Sequence, residues 1–510
     1  MKRHLTVLVA SLALLLAAGV GTAYAGGSGL GLPADQTQAI DQSQNATNSI
    51  DQSATAQSAA VNVSPNVAIG NKGSVDQSSD ASSGAVAVNK NDSEQDNTLS
   101  NTAGQTQSGA LADDNASHCC GTSKHAPKSQ SVQQSQNASN SISQNAESKS
   151  VAVNASPNVA VLNKGGDCNC GGGGVEQSSS ASSGAVAVNK NRSTQSNTLQ
   201  NDARQSQGGN HGGKADRSQS IDQSQDASNS IDQNGKATSV AVNASPNVAI
   251  GNSGPVKQDS NASSEAVAVN KNDSQQSNTL RNDAGQSQAG SDHSCGRCKH
   301  GSAPGSQSID QSQNATNSIS QNAEARSLAL NASPNVAVLN GGRDKCGGCG
   351  EGGVRQSSNA SSGAFAGNWN SSEQSNELGQ EARQSQEGGS GSCCHKGGGQ
   401  SQSIDQSQNA TNSIEQNAEA KSVAVNVSPN VAAFNHSSVE QSSGASSEAV
   451  AVNKNNSTQS NTLGQSADQQ QRGGDECRCR DDCECRDECN PCDECKPCDE
   501  CNPCEGGCED

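Results

Sequence analysis

Cysteine is the residue type with the greatest chemical capacity in this chain, and it occurs in two settings. Ten of the 21 cysteines lie in Gly-, Ser- or charge-rich segments, as the pairs Cys119-Cys120, Cys168-x-Cys170, Cys295-x-x-Cys298, Cys346-x-x-Cys349 and Cys393-Cys394. The other eleven are Cys477, Cys479, Cys483, Cys485, Cys489, Cys492, Cys495, Cys498, Cys501, Cys504 and Cys508. Because a thiolate exchanges with disulfides and binds soft metals, this spacing predicts cross-linking or metal binding.

The C-terminal cysteine cluster combines regular spacing with acidity. From Cys489 to Cys504 every third residue is cysteine, so a polyproline-like chain with three residues per turn would carry the thiols on one face. Residues 475–510 hold 14 acidic and four basic side chains. The spacing is similar to that of metallothioneins, which implies metal binding.

Three interpretations of the cysteines are open. Disulfides are expected in an exported protein, and links between chains are favoured because adjacent cysteines bridge each other poorly and the total is odd. A soft divalent metal such as zinc is the second interpretation, since the close spacings chelate and carboxylates attract cations. A thiol-rich segment without a defined role is the third.

One local constellation has a zinc-type ligand set. His293, Cys295, Cys298 and His300 place two imidazoles and two thiols within eight residues, which predicts a candidate zinc site. The same Cys-x-x-Cys spacing occurs in oxidoreductases, but no strand–helix context accompanies it here. The metal-site prediction therefore comprises these four residues and the eleven C-terminal cysteines.

Other functional classes have little support in the sequence. No Ser/His/Asp or Cys/His arrangement lies in a pocket-forming context, so we expect a protein that is not an enzyme and has no catalytic or cofactor-binding residues. The net charge of −19 disfavours nucleic acid as a partner, because nucleic-acid binding needs a basic surface.

The first 25 residues have the pattern of a secretory signal peptide. Lys2, Arg3 and His4 precede the apolar run from Leu5 to Val20, and Ala23-Tyr24-Ala25 matches a cleavage site. We therefore expect a secreted or cell-surface protein. No later run approaches the roughly 20 apolar residues of a membrane helix, so no membrane span is expected in the mature chain.

The element that must position the cysteines is a repeat. A Ser-Pro-Asn-Val signature recurs with its proline at Pro65, Pro157, Pro246, Pro334 and Pro429, at intervals of 88 to 95 residues. We divide the chain into a signal peptide (1–25), five repeats (26–118, 119–208, 209–301, 302–394 and 395–470) and an acidic Cys-rich tail (471–510). Only 1% of residues are aromatic, so conventional globular cores are not expected.

Apolar residues within each repeat follow a β pattern. Val423, Val425 and Val427 alternate with small or polar residues, and apolar positions recur every ten or eleven residues between turn formers. We predict an all-β stack, a β-solenoid or β-arch with a disordered tail, in which Val, Ile and Ala point inward and Asn and Gln form ladders. Disordered low-complexity sequence is the alternative, but it gives no reason for the phasing. The longer intervals Val161–Val175 and Val338–Val354 are predicted to be loops that leave a regular stack.

Part of each repeat resembles a known family. The segment from Gln42 to Gln52, QSQNATNSIDQ, resembles the Gln/Asn/Ala/Ile-spaced repeats of curlins, the secreted bacterial amyloid subunits. The resemblance implies strand–turn–strand rungs with Gln and Asn ladders that assemble into extracellular fibres.

These patterns favour a structural or matrix protein that self-associates into oligomers or fibres and is cross-linked through its cysteines. The main alternative is an extracellular metal-sequestering protein that binds metal with its Cys-rich tail and in which the repeats serve as a spacer. A third class, an ice-binding solenoid, lacks the regular Thr-x-Thr ladder expected of it.

Overall fold

The computed structural model describes residues 36–107, 128–163, 174–208, 217–289, 305–340, 353–387, 401–435 and 438–472. These residues form strands and the bends between them, in three five-stranded parallel sheets. The all-β repetitive stack predicted from the sequence is therefore confirmed.

Each repeat contributes one strand to each sheet, and we call the three successive strands of one repeat a rung. The first long strands are β1 (Gln36–Asn62), β4 (Lys128–Asn154), β7 (Arg217–Asn243), β10 (Gly305–Asn331) and β13 (Ser401–Asn426). The short strands are β2 (Asn66–Ile69), β5 (Asn158–Val161), β8 (Asn247–Ile250), β11 (Asn335–Val338) and β14 (Asn430–Ala433). The second long strands are β3 (Val75–Gln107), β6 (Val175–Gln207), β9 (Val256–Ala289), β12 (Val354–Glu387) and β15 (Val439–Arg472).

The rungs stack in chain order without a break in register. The sheet of first long strands has the order β1-β4-β7-β10-β13, and the other two sheets follow the same succession of repeats. Equivalent residues pair at every position, as in Ile40 with Val132 and Val132 with Ile221. The five repeats thus form one continuous stack about 24 Å high, at roughly 4.8 Å per rung.

The strands are much longer than the sequence analysis predicted. The expectation of a strand and a turn every ten or eleven residues is wrong: the first long strands run for 26 or 27 residues and the second for 33 or 34. The Asn, Ser and Gly positions taken as turns lie inside extended strands, because their backbones pair with the identical segment of the next rung. Strict alternation of inward and outward side chains continues through them.

The Ser-Pro-Asn signature interrupts each rung between the first long strand and the short strand, and the bend that folds the rung back follows the short strand, at residues 70–74 in rung 1. Asn62 and Asn66, on either side of Pro65, donate to the carbonyls of Asp80 and Ser78 in the same second long strand, so the chain keeps its direction through the signature.

The signature's serine hydroxyl accepts a hydrogen bond from the backbone N–H of the equivalent serine in the preceding rung, as in Ser64 N to Ser156 Oγ at 2.6 Å. The proline carbonyl accepts from the preceding rung as well, as in Asn66 N to Pro157 O at 2.9 Å. Proline lacks an N–H donor, so a ladder of prolines is tolerated at a position where only the carbonyl is used.

The long insertions leave this stack undisturbed. In rung 2 the segment 164–173 lies outside the described residues, yet Val161 pairs with Ile250 before it and Val175 pairs with Val256 after it. Rung 4 behaves in the same way around 341–352, where Val338 pairs with Ile250 and Val354 with Val256. The predicted loops therefore do not shift the strands that flank them.

The two long sheets of the stack are staggered along its axis. The strand β3 packs against both β1 and β4, β6 packs against both β4 and β7, and the succession continues to β15, which packs against β13. A second long strand thus lies between the first long strands of its own rung and of the next rung. As a result β1 projects at one end of the stack and β15 at the other.

The prediction that valine points inward is wrong for most valines. In the segment Ala85-Val86-Ala87-Val88 the alanines are buried, whereas Val86 and Val88 are 64% and 54% exposed. Val75 and its equivalents in rungs 2 to 4 do point inward, as do the Ile columns. The facing sheets approach closely where the interior is built from alanine, and a larger inward side chain would separate them.

Candidate functional site: the laddered interior and the ends of the stack

The centre of the interior is a double column of asparagines. One column is Asn48, Asn140, Asn229, Asn317 and Asn412, and the facing column is Asn97, Asn197, Asn278, Asn376 and Asn461. Asn229 shows the pattern: its Nδ2 donates to the Oδ1 atoms of Asn278 and Asn317, each at 3.0 Å. Its own Oδ1 accepts from Asn140 and Asn197, also at 3.0 Å. Each amide of this double column in the middle rungs is therefore linked both along the axis and across the sheets, which offsets the cost of removing it from water.

Glutamines form further ladders of opposite polarity. Gln223 Nε2 donates to Gln134 Oε1 of the preceding rung at 2.9 Å and to the backbone carbonyl of Asp283 in the facing strand at 3.1 Å. Gln311 repeats both bonds with Gln223 and Glu381. Because both amide hydrogens are used, a buried glutamine costs little only where the neighbouring rung also has glutamine.

Apolar columns separate these polar ladders. Ile142, Ile231 and Ile319 stack on one another with Ile50 and Ile414 at the two ends. Leu199, Leu280 and Leu378 pack against the alanine column of the facing sheet, which includes Ala138, Ala227 and Ala315. The interior therefore combines stacked hydrophobic side chains with amide ladders, as the sequence predicted for Asn, Gln, Ile and Ala.

The ends of the stack expose residues that the middle rungs bury. Leu463 in β15 is 49% exposed, whereas its equivalent Leu378 is 1% exposed. Val439 is 46% exposed, whereas Val354 is 2% exposed. Within the part of the chain that the structure describes, the strands of rungs 1 and 5 pair on one side only. Each end is thus a surface of inward-type side chains and strand edges.

The outer faces carry aliphatic columns beside charged ones. Val151, Val240, Leu328 and Val423 form one aliphatic column. A basic column on the other face, interrupted by Trp369, consists of Lys90, Lys190, Lys271 and Lys454.

The Trp369 ring stacks on Phe365 with centroids 5.8 Å apart, and both rings cover Gly367, where an added Cβ would lie 2.5 Å from the indole. The chain's single tryptophan therefore reports on rung 4.

Acidic columns on the outer faces raise two carboxyl pKa values. Burial, and then the charge of Asp310 in the next rung, raise the pKa of Asp222. Burial raises the pKa of Asp283, with further contributions from Asp202 and Glu381 above and below it. Rungs 2 and 4 place Arg204 and Arg383 beside the acids of this column, while rung 3 has Gly285. The stack thus tolerates rows of like charge.

All of the metal-site residues predicted from the sequence lie outside the described residues. This applies to His293, Cys295, Cys298 and His300 and to the eleven C-terminal cysteines, and it applies equally to the signal peptide. Among the described residues no group of three or more His, Cys, Asp or Glu side chains is placed to hold a metal ion. The zinc and disulfide interpretations therefore stay predictions.

The stack does fix where the cysteine-bearing segments are anchored. Those containing Cys168 and Cys346 begin after Asn163 and Asn340, at the bend, in rungs two apart. Those containing Cys119, Cys295 and Cys393 connect successive rungs at the far ends of the long strands. At about 3.3 Å per residue, second long strands of 33 or 34 residues place the two sets of anchors roughly 110 Å apart.

No protein-family model, curated protein or solved structure matches this chain. The curlin resemblance therefore stays a resemblance of one sequence segment. No helix among the described residues is long and apolar enough to cross a membrane.

Sequence reasoning missed the residues at the two ends of the stack. The residues before Leu463 are the same Asn-Thr as before Leu99, Leu199 and Leu280, and Leu463 is exposed only because it lies in the last rung. Comparison of the repeats column by column would have separated inward from outward positions, because the inward residues vary far less between rungs than the outward ones.

Proposed function

We propose that this is a secreted, non-enzymatic structural protein that self-assembles by extending its own β-stack and is cross-linked through its loop and tail cysteines. The observation that carries the proposal is the pair of end surfaces. They present inward-type Asn, Gln, Leu and Ile side chains and strand edges that the middle rungs bury against identical neighbours. Further rungs of the same sequence would cover these surfaces with bonds the stack already makes.

The cysteines would reinforce an assembly of this kind at its margins. Their segments leave the stack at the bend and at the far ends of the strands, where they do not interrupt the ladders. Adjacent assemblies could be joined by disulfides at both margins without changing the interior. The N-terminal signal pattern supports an oxidising destination.

The test is sedimentation and electron microscopy of purified residues 26–510 in reductant and chelator. We expect filaments whose ladders persist under these conditions, and oxidation should then make the filaments resistant to denaturant until they are reduced again. A protein that stays monomeric at all concentrations would refute self-assembly. Stoichiometric zinc bound to such a monomer would instead favour the metal-sequestering alternative.

A further inference from the structure

Rungs 1 and 5 lie at opposite ends of the stack, yet their strands are separated by segments of the same length. The interval from Ile40 to Ile404 is 364 residues, and the intervals from Asn66 to Asn430 and from Val75 to Val439 are the same. Rungs 1 and 5 therefore have bends and loops of equal length, whereas rungs 2 and 4 carry insertions. A copy placed below rung 5 would meet it in register along all three strands.

The inward residues of these two rungs are also nearly identical. From Gln38 to Ala68 and from Val75 to Gln107, each inward position has the same residue in rung 5 except one, where Asn101 corresponds to Gln465. An Asn–Gln pair already occurs inside the stack in the opposite axial order, between Asn282 of rung 3 and Gln380 of rung 4, where Asn282 Nδ2 has no hydrogen-bond partner among the described residues. The one mismatch is therefore of a kind that the fold accommodates.

The axial stagger makes the two ends complementary and unlike. The projecting β15 lacks a first long strand on its outer side, and the projecting β1 lacks a second long strand on its outer side. Within the chain, Leu378 packs between Ala315 of its own rung and Ala410 of the next rung. The equivalent neighbours of Leu463 are Ala410 and Ala46 of a second copy.

A column of residues directly after the short strands gives the stack a direction along its axis. Its members are Gly70, Leu162, Gly251, Leu339 and Phe434, and all five have positive φ, between 54° and 70°. A Cβ at Gly251 would lie 2.8 Å from Leu162 Cδ2, so the leucine of rung 2 occupies the space that glycine leaves in rung 3. Phe434 is 76% exposed, and nothing lies within 4 Å of a Cβ at Gly70.

We infer that copies of this chain join head to tail, with rung 5 of one copy on rung 1 of the next, Leu463 against Ala46 and Phe434 over Gly70. The inference rests on the proposed self-assembly and names its partner surface. The junction is heterologous, so it does not close and produces a polar filament that repeats every five rungs. The identical surfaces of two like ends cannot satisfy this interface.

Two blocking variants test the polarity. Leu463→Lys blocks the rung 5 end and Ala46→Lys blocks the rung 1 end; Thr462→Lys and Asn45→Lys place the same charge on outward neighbours and serve as matched controls. All proteins comprise residues 26–510, are kept in reductant, and are checked by far-UV circular dichroism and by the emission of Trp369. Sedimentation velocity measures the assembly state.

We expect filaments from the wild type and both controls, monomers from each blocked variant alone, and dimers from their equimolar mixture, because only one junction remains available. Blocked variants that dimerise alone would show like-end contacts and overturn the inference, while self-assembly would stand. A wild type that never assembles would overturn both.

As a second measurement that does not depend on the lysines, Gly70→Leu should slow elongation at least about tenfold relative to Gly84→Leu. Equal rates would contradict the role of the bend column.

Discussion

Alternate residues of the same strand lie in opposite environments, and the polar ones are often the buried ones. Asn89 and Asn91 are buried in β3, while Val86 and Val88 on the outer face are more than half exposed. Burial here follows from what the neighbouring rung can offer. An inward amide meets another amide at bonding distance, and an inward alanine allows the facing sheets to approach. Hydrophobicity alone does not decide which face a residue occupies in such a stack.

Removing an amide from the interior should lower the free energy of unfolding more than any change on the outer face. We predict that Asn229→Leu lowers the free energy of unfolding by about 3–5 kcal/mol, because Asn140 and Asn197 lose their acceptor and a larger apolar group enters a matched site. Asn314→Leu is the control on the outer face. Denaturant unfolding measures both, and similar losses for the two variants would contradict the distinction between faces.

Exchanging alanine and valine between the two faces should give unequal effects. Ala268→Val forces a larger side chain into the alanine-lined interior and should cost about 1–3 kcal/mol. Val269→Ala removes methyl groups from the adjacent outward position and should cost less than about 1 kcal/mol. Thermal unfolding of both single variants compares the faces directly. A larger loss from the valine deletion would show that the outer column, and not the interior spacing, stabilises this region.

The aromatic pair tests packing on the outer face itself. Gly367→Val restores the valine of the neighbouring rungs, but its Cβ would collide with Trp369, so the stacked rings must separate. We expect a red-shifted Trp369 emission and a loss of about 1 kcal/mol. Gly363→Ala is the control, because nothing lies within 4 Å of a Cβ there. An unchanged emission spectrum in the Gly367 variant would be evidence against the stacked arrangement.

The smallest effect concerns the acidic column. Because burial raises the pKa of Asp283, the folded state holds that proton more tightly than the unfolded state, and the free energy of unfolding falls as pH rises through the interval above 3.8. Asp283→Asn removes this loss and should stabilise the protein at pH 7 by less than about 1 kcal/mol, since the carboxyl is partly exposed. The difference should vanish below the ordinary carboxyl pKa. Unfolding measured at pH 3 and pH 7 checks the sign, and a stabilisation that grows toward acid pH would contradict it.

The sequence predicted those features of the fold that depend on a local pattern. The alternation around Val423 and Val425 predicted strands, and the Asn and Gln spacing predicted ladders, because both follow from one segment pairing with its own copy. The length of the strands was misjudged because Asn and Ser are turn formers in isolated segments, whereas a matched rung satisfies their side chains and keeps the backbone extended.

The sequence by itself determined the five-fold repeat, the β class and the candidate cysteine chemistry, since each depends on residue type and spacing. Only the tertiary structure decided that valine lies outside and asparagine inside, because that choice depends on the distance between facing sheets. It also decided the axial stagger, which leaves β1 and β15 projecting at opposite ends. That offset arises from how whole strands interdigitate, and no single repeat contains it.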